Sequence, residues 1–214
     1  MEKKKLILFD FDSTLVNNET IDEIAKEAGV EEEVKKITKE AMEGKLNFEQ
    51  SLRKRVNLLK DLPVEKVENA MKRITLTEGA EETVKELKNR GYIVAVVSGG
   101  FDIAVNRIKE KLGLDYAFAN RLIVKDGKLT GEVEGDVLKE DAKGEILQKI
   151  AEIEGIKLED TVVVGDGAND ISMFKKAGFK IAFCAKPVLK EKADVCIEKR
   201  DLREVLKYLK REEG

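Results

Sequence analysis

Asp10 and Asp12 stand two residues apart where the apolar run LILF (6–9) stops. Two carboxylates that close repel each other, so the pattern calls for an opposite charge beside them. Further along, GDGAND adds Asp166, Asn169 and Asp170, and VSGG adds Ser98, Gly99 and Gly100, each group directly after another short apolar run. Taken singly, each has an ordinary structural reading: Asp10 or Asp166 as a helix cap or Asx-turn residue, SGG as a plain strand-to-helix turn. As a set they point to a site. Clustered carboxylates need a cation, and oxygen ligands without Cys or His select a hard one, Mg2+ before others. Ser98 with the N–H groups of Gly99 and Gly100, at the start of an expected helix 101–112, forms a cradle in which dipole and free donors favour phosphate. A metal beside an anion cradle is the equipment of phosphoryl chemistry.

Two cations stand where structure alone would not choose them. In the expected helix 141–154 the inward stripe reads Ile146, Ile150 and Ile153, and Lys143, seven positions before Ile150, points nearly the same way. It also falls in the first turn, where the helix dipole disfavours a cation, and Gly144 beside it permits close backbone approach. Either Lys143 snorkels from a buried stem or it meets phosphate and neutralises neighbouring carboxylates. Arg55 lies seven residues after Phe48, on the apolar face, whereas Arg53 points away. Its planar fork suits a carboxylate or phosphate, or an internal salt bridge with a nearby Glu. Glu19, just ahead of the capping-box pattern Thr20 to Glu23, either complements a helix dipole or faces a cation.

Histidine is absent, which removes Ser-His-Asp triads, Cys-His pairs and His-rich zinc sites. Acid and base chemistry falls to carboxylates, Lys, Tyr or Cys. Forty Lys and Arg against 43 Asp and Glu leave a net charge of −3 with no polybasic block, so no nucleic-acid partner is expected. Abundant Lys and Glu match the composition of heat-adapted proteins. Cys184 and Cys196 lack CxxC spacing and sit in short apolar segments, so they are expected as buried reduced thiols in a cytoplasmic chain. No apolar run approaches the roughly 20 residues of a membrane span, and MEKKK leads into a strand with no cleavable leader pattern.

The elements that must position these residues follow from the apolar runs. LILF (6–9), YIVAVVS (92–98), TVVVG (161–165), KIAFC (180–184) and a weaker DVCI (194–197) read as buried strands. Helical patterns at 79–90, 101–112, 141–154, 168–177 and 201–210 separate most of them. The alternation predicts an α/β fold, a Rossmann-like parallel sheet with helices on both faces. In such sheets ligands collect outside the carboxyl ends of the strands, where the residues above fall. Residues 17–75 hold only helical patterns and are expected as an inserted helical cap, leaving 1–16 and 76–214 as the core domain. Asp126-Gly127 within 121–133 marks a β-hairpin.

With DFDST, Ser98 after a strand, Lys143 and GDGAND in that order, the chain resembles the haloacid dehalogenase superfamily of aspartate-nucleophile phosphatases. The first and last pieces are specific, and FEQSLRKRV and VSGGFD extend the likeness over nearly the full length, closest to the phosphoserine phosphatases. The resemblance implies that Asp10 is the nucleophile and takes the phosphoryl group. Asp12 would protonate the leaving serine oxygen and then activate water. It implies Mg2+ on the Asp10 carboxylate, the Asp12 carbonyl and Asp166, with Asp170 in support. Ser98, Gly99, Gly100 and Lys143 would hold phosphate, with Asn169 nearby. Glu19 would receive the substrate amine and Arg55 its carboxylate, while Met42 and Phe48 shield the site.

The implied reaction is hydrolysis of L-phosphoserine, the last step of serine synthesis, by a monomer or homodimer. Two other readings stay open at this level: the same chemistry on another small phosphomonoester or with transfer to an alcohol, and a non-enzymatic phospho-aspartate switch. Asp12 speaks against the switch, since an acid-base beside the nucleophile serves turnover rather than persistence.

Overall fold

A computed structural model describes residues 4–209; MEK at the start and the end of the expected helix 201–210 lie outside them. Seven strands form one sheet in the order β4-β3-β2-β1-β5-β6-β7. They are β1 (Lys5–Asp10), β2 (Tyr92–Phe101), β3 (Tyr116–Lys125), β4 (Lys128–Gly135), β5 (Thr161–Gly165), β6 (Phe179–Phe183) and β7 (Val195–Ile197). All pairings are parallel except β3 with β4. The chain leaves β1 for β2 and β3 on one side and returns to β5, β6 and β7 on the other. The ends of β1, β2 and β5 therefore meet at the point where strand order reverses, which opens a crevice there.

The continuous apolar runs are explained by burial on both faces. Ile7 and Phe9 of β1 join one apolar layer, Leu6 and Leu8 the other, and all four are fully buried. Each such side chain contributes about 1.5–3 kcal/mol on leaving water. The first layer includes residues of α5 (Ala80–Asn89) and α6 (Asp102–Leu112); the second is built on α7 (Ala142–Glu154) and α8 (Ile171–Phe174).

Between β1 and α5 run α1 (Thr20–Ala28), α2 (Glu31–Met42), α3 (Phe48–Asn57) and α4 (Val64–Met71), with no strand among them. Their inward residues, among them Ile24, Leu52, Val56 and Ala70, are continuous with the first apolar layer. At their root the outgoing and returning chains lie side by side, with Val16 bridged to Leu76 and Asn17 N–H donating to Thr75 O at 2.9 Å.

Several expectations are corrected. The Asp126-Gly127 hairpin exists, but its first strand begins at Tyr116 and pairs parallel with β2, so the hairpin extends the sheet. The first four residues of that strand, Tyr116 to Ala119, are all half-buried. In 168–177 only two short helical pieces form, 168–170 and α8. Ile153 is 61% exposed, because the buried face of α7 centres on Leu147 and Ile150 and Ile153 falls at its edge in the last turn. The thiols are free but not buried: Cys184, just past the end of β6, is half-buried, and Cys196 is exposed on β7, a short edge strand. Among the described residues no helix is long and apolar enough to cross a membrane.

Candidate active site

Asp10 ends β1 and the chain then turns tightly through Phe11–Leu15, with Ser13 in the left-handed region at φ 58°. That turn swings Asp12 back toward the strand ends. Lys143 projects inward from the first turn of α7 and is only 2% exposed. Its ammonium donates to Asp10 Oδ1 at 2.5 Å and to Asp170 Oδ1 at 2.7 Å. The remaining Asp170 oxygen accepts the N–H groups of Asp166 and Gly167 at 2.9 and 3.2 Å. Asp170 is thus spent on framing Lys143 and the loop after β5. Carboxylate oxygens of Asp10, Asp166 and Asp170 lie within 4.8 Å of one another.

Asp12 is held from two sides. Its Oδ1 accepts the N–H and hydroxyl of Thr20 at 2.6 and 2.5 Å, and its Oδ2 accepts the Ser98 hydroxyl at 2.8 Å. Thr20 is therefore no helix cap: α1 begins at Thr20 itself, and its hydroxyl is taken by Asp12. The SGG segment also differs from expectation. β2 runs through it to Phe101 and α6 starts at Asp102, so the cradle is not a helix terminus. Val97 pairs with Phe118 and Phe101 with Asn120, so β2 carries extra residues over that interval and Ser98, Gly99 and Gly100 bow out of the ladder. The Gly100 N–H donates to Ser98 Oγ at 2.8 Å. Buried Asn120 fixes the bulge, donating to Gly99 O at 3.1 Å.

Charge is crowded here. Burial, and then the neighbouring Asp170, pushes the Asp10 carboxyl well above its usual range, while Lys143 pulls it back. Burial followed by Asp170 likewise raises Asp166. Burial works against the Lys143 charge, but Asp10 and Asp170 outweigh it and hold the ammonium above the usual lysine range. One buried cation thus faces three carboxylates, a surplus of negative charge offered entirely through oxygen. That donor set fits a hard divalent cation.

The remaining sequence-predicted residues divide. Phe48 covers the bulge so closely that a Cβ on Gly99 would lie 2.6 Å from its ring. Glu19 is exposed at the rim and accepts the Ser13 hydroxyl at 2.6 Å; lost hydration in the cleft, and then the Asp12 charge, push its carboxyl up to about 8. Arg55 is half-buried on α3, and no carboxylate among the described residues lies within salt-bridge distance of it. Burial lowers its pKa, and Asp22, Glu19 and Asp12 act against that. Asn169 is exposed on the loop after β5. Met42 is 72% exposed at the end of α2, a helix that buries only Val34. Thr14, Thr20 and Asn120 were not anticipated. Thr14, whose hydroxyl donates to Asp10 Oδ2 at 3.3 Å, lies inside DFDST and could have been found by its spacing.

A family model described as haloacid dehalogenase-like hydrolase matches residues 4–178. The chain belongs to the haloacid dehalogenase-like hydrolases. This hydrolase is 90% identical over 209 residues to a phosphoserine phosphatase of Methanocaldococcus jannaschii, covering 98% of this chain and 99% of that one. Among solved structures it is similar to a phospho-aspartyl intermediate analogue of phosphoserine phosphatase, with TM-score 0.94 and 89% identity over 98% of this chain and all of that one. A substrate-bound phosphoserine phosphatase complex gives TM-score 0.94 and 88% identity over 98% of this hydrolase and 100% of that chain.

Proposed function

We propose that the chain hydrolyses O-phospho-L-serine to L-serine and phosphate, dependent on Mg2+ and passing through a phospho-aspartate on Asp10. The observation that carries the reading is the Lys143–Asp10 pair set beside the Asp12–Ser98 contact at the strand ends. The likeness to phosphoserine phosphatases, one of them a phospho-aspartyl intermediate analogue, supports it.

The Asp10 and Asp166 carboxylates and the Asp12 carbonyl would hold Mg2+, with Asp170 in support; bound there, the ion would screen the charge between nucleophile and phosphate. An Asp10 oxygen attacks phosphorus as the bond from phosphorus to the serine oxygen breaks, and Asp12 delivers its proton to that oxygen. Asp12 then takes a proton from the water that attacks phosphorus, the Asp10–phosphorus bond breaks, and phosphate leaves. Lys143 neutralises charge that spreads over the phosphoryl oxygens in the transition state. Ser98 releases Asp12 to donate to phosphate, joined by N–H groups of the glycine bulge and by Asn169. Glu19 and Arg55 bind the amine and carboxylate of the substrate, opposite signs that a zwitterion requires. Residues 17–75 act as a cap domain over the core 1–16 and 76–214, with Phe48 excluding water. The two free thiols fit a reducing compartment such as the cytoplasm.

The test is phosphate release from O-phospho-L-serine beside a panel of other phosphomonoesters, with Mg2+ or chelator and with amino-alcohol acceptors. Preference for phosphoserine, lost on chelation, supports the proposal. In Arg55→Ala the KM for phosphoserine rises while small aryl phosphates are spared; equal losses on both would make Arg55 structural. A stronger response to another ester, or transfer to an acceptor, would overturn the substrate assignment.

A further inference from the structure

Arg200 lies beyond residues 4–178, the span matched by the family model, in the segment after β7. Its guanidinium nevertheless reaches the turn that carries Asp12. It donates to Ser13 O at 3.1 Å, Val16 O at 3.2 Å and Asn17 Oδ1 at 3.0 Å, with the Phe183 ring 5.9 Å away. Between those carbonyls, Thr77 binds Thr14 O through its hydroxyl at 2.7 Å and Leu15 O through its N–H at 3.0 Å. The carbonyls of residues 13 to 16 are thus all tied to parts of the chain that follow the inserted helices.

The position of the clamp matters because of what the turn holds. Ser13 has positive φ, a conformation that costs energy for a residue with a side chain and persists only when its surroundings fix it. Arg200 grips the carbonyl of that residue, next to Asp12, while the Ser13 hydroxyl holds Glu19. Asn17 passes the restraint on, donating to Thr75 Oγ1 at 3.0 Å and Leu76 O at 2.9 Å. One planar fork serves three acceptors in fixed directions, which a lysine ammonium does not reproduce.

We infer that Arg200 is a positioning residue for the acid-base carboxylate Asp12, acting through the peptide of Ser13. The inference rests on the proposed roles of Asp10 and Asp12. Its consequence differs between leaving groups. A serine oxygen needs the Asp12 proton to depart, whereas p-nitrophenolate departs without it; hydrolysis of the phospho-aspartate needs Asp12 as base for both esters.

The experiment compares full-length wild type, Arg200→Ala and Arg200→Lys, loaded with Mg2+, by rapid-quench and steady-state kinetics on phosphoserine and p-nitrophenyl phosphate, with thermal melts alongside. The expected result for Arg200→Ala is a 10- to 100-fold lower kcat on both esters, with KM within about threefold for phosphoserine, both of whose steps need Asp12, and KM falling together with kcat for the nitrophenyl ester, whose first step does not. Nitrophenolate should still appear in a rapid burst of one equivalent before the slow phase, and millimolar guanidinium should recover part of the loss. Arg200→Lys should lie between, and it carries the test if the alanine variant melts below the assay temperature. A kcat within twofold of wild type, or a burst slowed as much as the steady state, would overturn the inference. Wild type active on the nitrophenyl ester but inert on phosphoserine would instead defeat the substrate proposal and leave the Arg200 test readable on the nitrophenyl ester.

Discussion

The Lys143 ammonium lies 2.5 Å from Asp10 Oδ1, with both side chains almost completely withdrawn from solvent. Asp170 holds the same ammonium from the other side at 2.7 Å, so the cation cannot follow Asp10 without leaving a second buried carboxylate behind. Removing it strands two acids. Lys143→Ala should lower kcat at least about 100-fold, the scale of losing a transition-state charge partner. It should also destabilise the metal-free protein by about 3–5 kcal/mol, the cost of breaking a buried pair from one side. Steady-state kinetics with Mg2+ and urea unfolding without it check the two arms; loss of activity alone would mean that the buried acids find another partner.

Gly144 makes the same point through packing. A Cβ there would lie 2.6 Å from the carbonyl oxygen of Ser172, and the Gly144 N–H already donates to Ser172 Oγ at 3.1 Å. Backbone cannot yield as a side-chain tip does. Gly144→Ala should therefore push α7 from α8, cost about 1–3 kcal/mol as overpacking does, and displace Lys143 next door. A lower melting temperature together with a kcat loss on all phosphate esters is expected; an alanine variant with wild-type kcat would show that α7 tolerates the shift.

How much of this was legible in the sequence depends on whether a residue's role is local. β1 and β5 could be read because strands buried on both faces have no polar positions to confuse the pattern. Lys143 could be read because a charge inside an apolar stripe demands an explanation. Asp10, Asp12, Asp166 and Asp170 stood out because they follow such strands, where the fold opens its crevice. Thr20 was misread for the converse reason: its spacing to Glu23 satisfies a local capping rule, but the hydroxyl goes to Asp12, eight residues back in sequence. Asn120 and Arg200 carry no local signal, since one braces a bulge in a neighbouring strand and the other reaches from the far end of the chain. Met42 was named from the resemblance alone, and its side chain stands exposed at the end of α2.

Glu19 sets a pH dependence. Solvent reaches Glu19, yet its carboxyl is pushed up to about 8, first by lost hydration in the cleft and then by Asp12, so it gains charge as pH rises through that value. If Glu19 receives the substrate ammonium, the KM for phosphoserine should fall as pH rises from 6.5 toward about 8. Glu19→Gln should flatten that limb and raise KM about tenfold at pH 8, the scale of one charge-assisted hydrogen bond. The nitrophenyl ester, which has no amine, should show no such limb in either protein. A limb that survives in Glu19→Gln would assign the titration to another group.

The segment bearing Arg200 has its own acid dependence. Asp201, 3% exposed, accepts the Arg203 N–H at 3.0 Å and the guanidinium at 2.9 and 2.8 Å, while the Leu202 N–H donates to Glu78 O at 2.8 Å. The hydrogen bonds from Arg203 hold the Asp201 carboxyl below the usual carboxylate range. A depressed acid binds fewer protons folded than unfolded, so its stabilisation is present above the ordinary aspartate pKa and drains away as pH falls below about 4. Asp201→Asn should therefore be less stable than wild type at pH 6, yet lose less on acidification, which urea unfolding at pH 6 and pH 3 would read directly. Because Asp201 anchors the residue beside Arg200, the variant should also lower kcat at neutral pH. Unfolding curves that respond identically to acid in the two proteins would show that Asp201 keeps no depressed carboxyl in the folded chain.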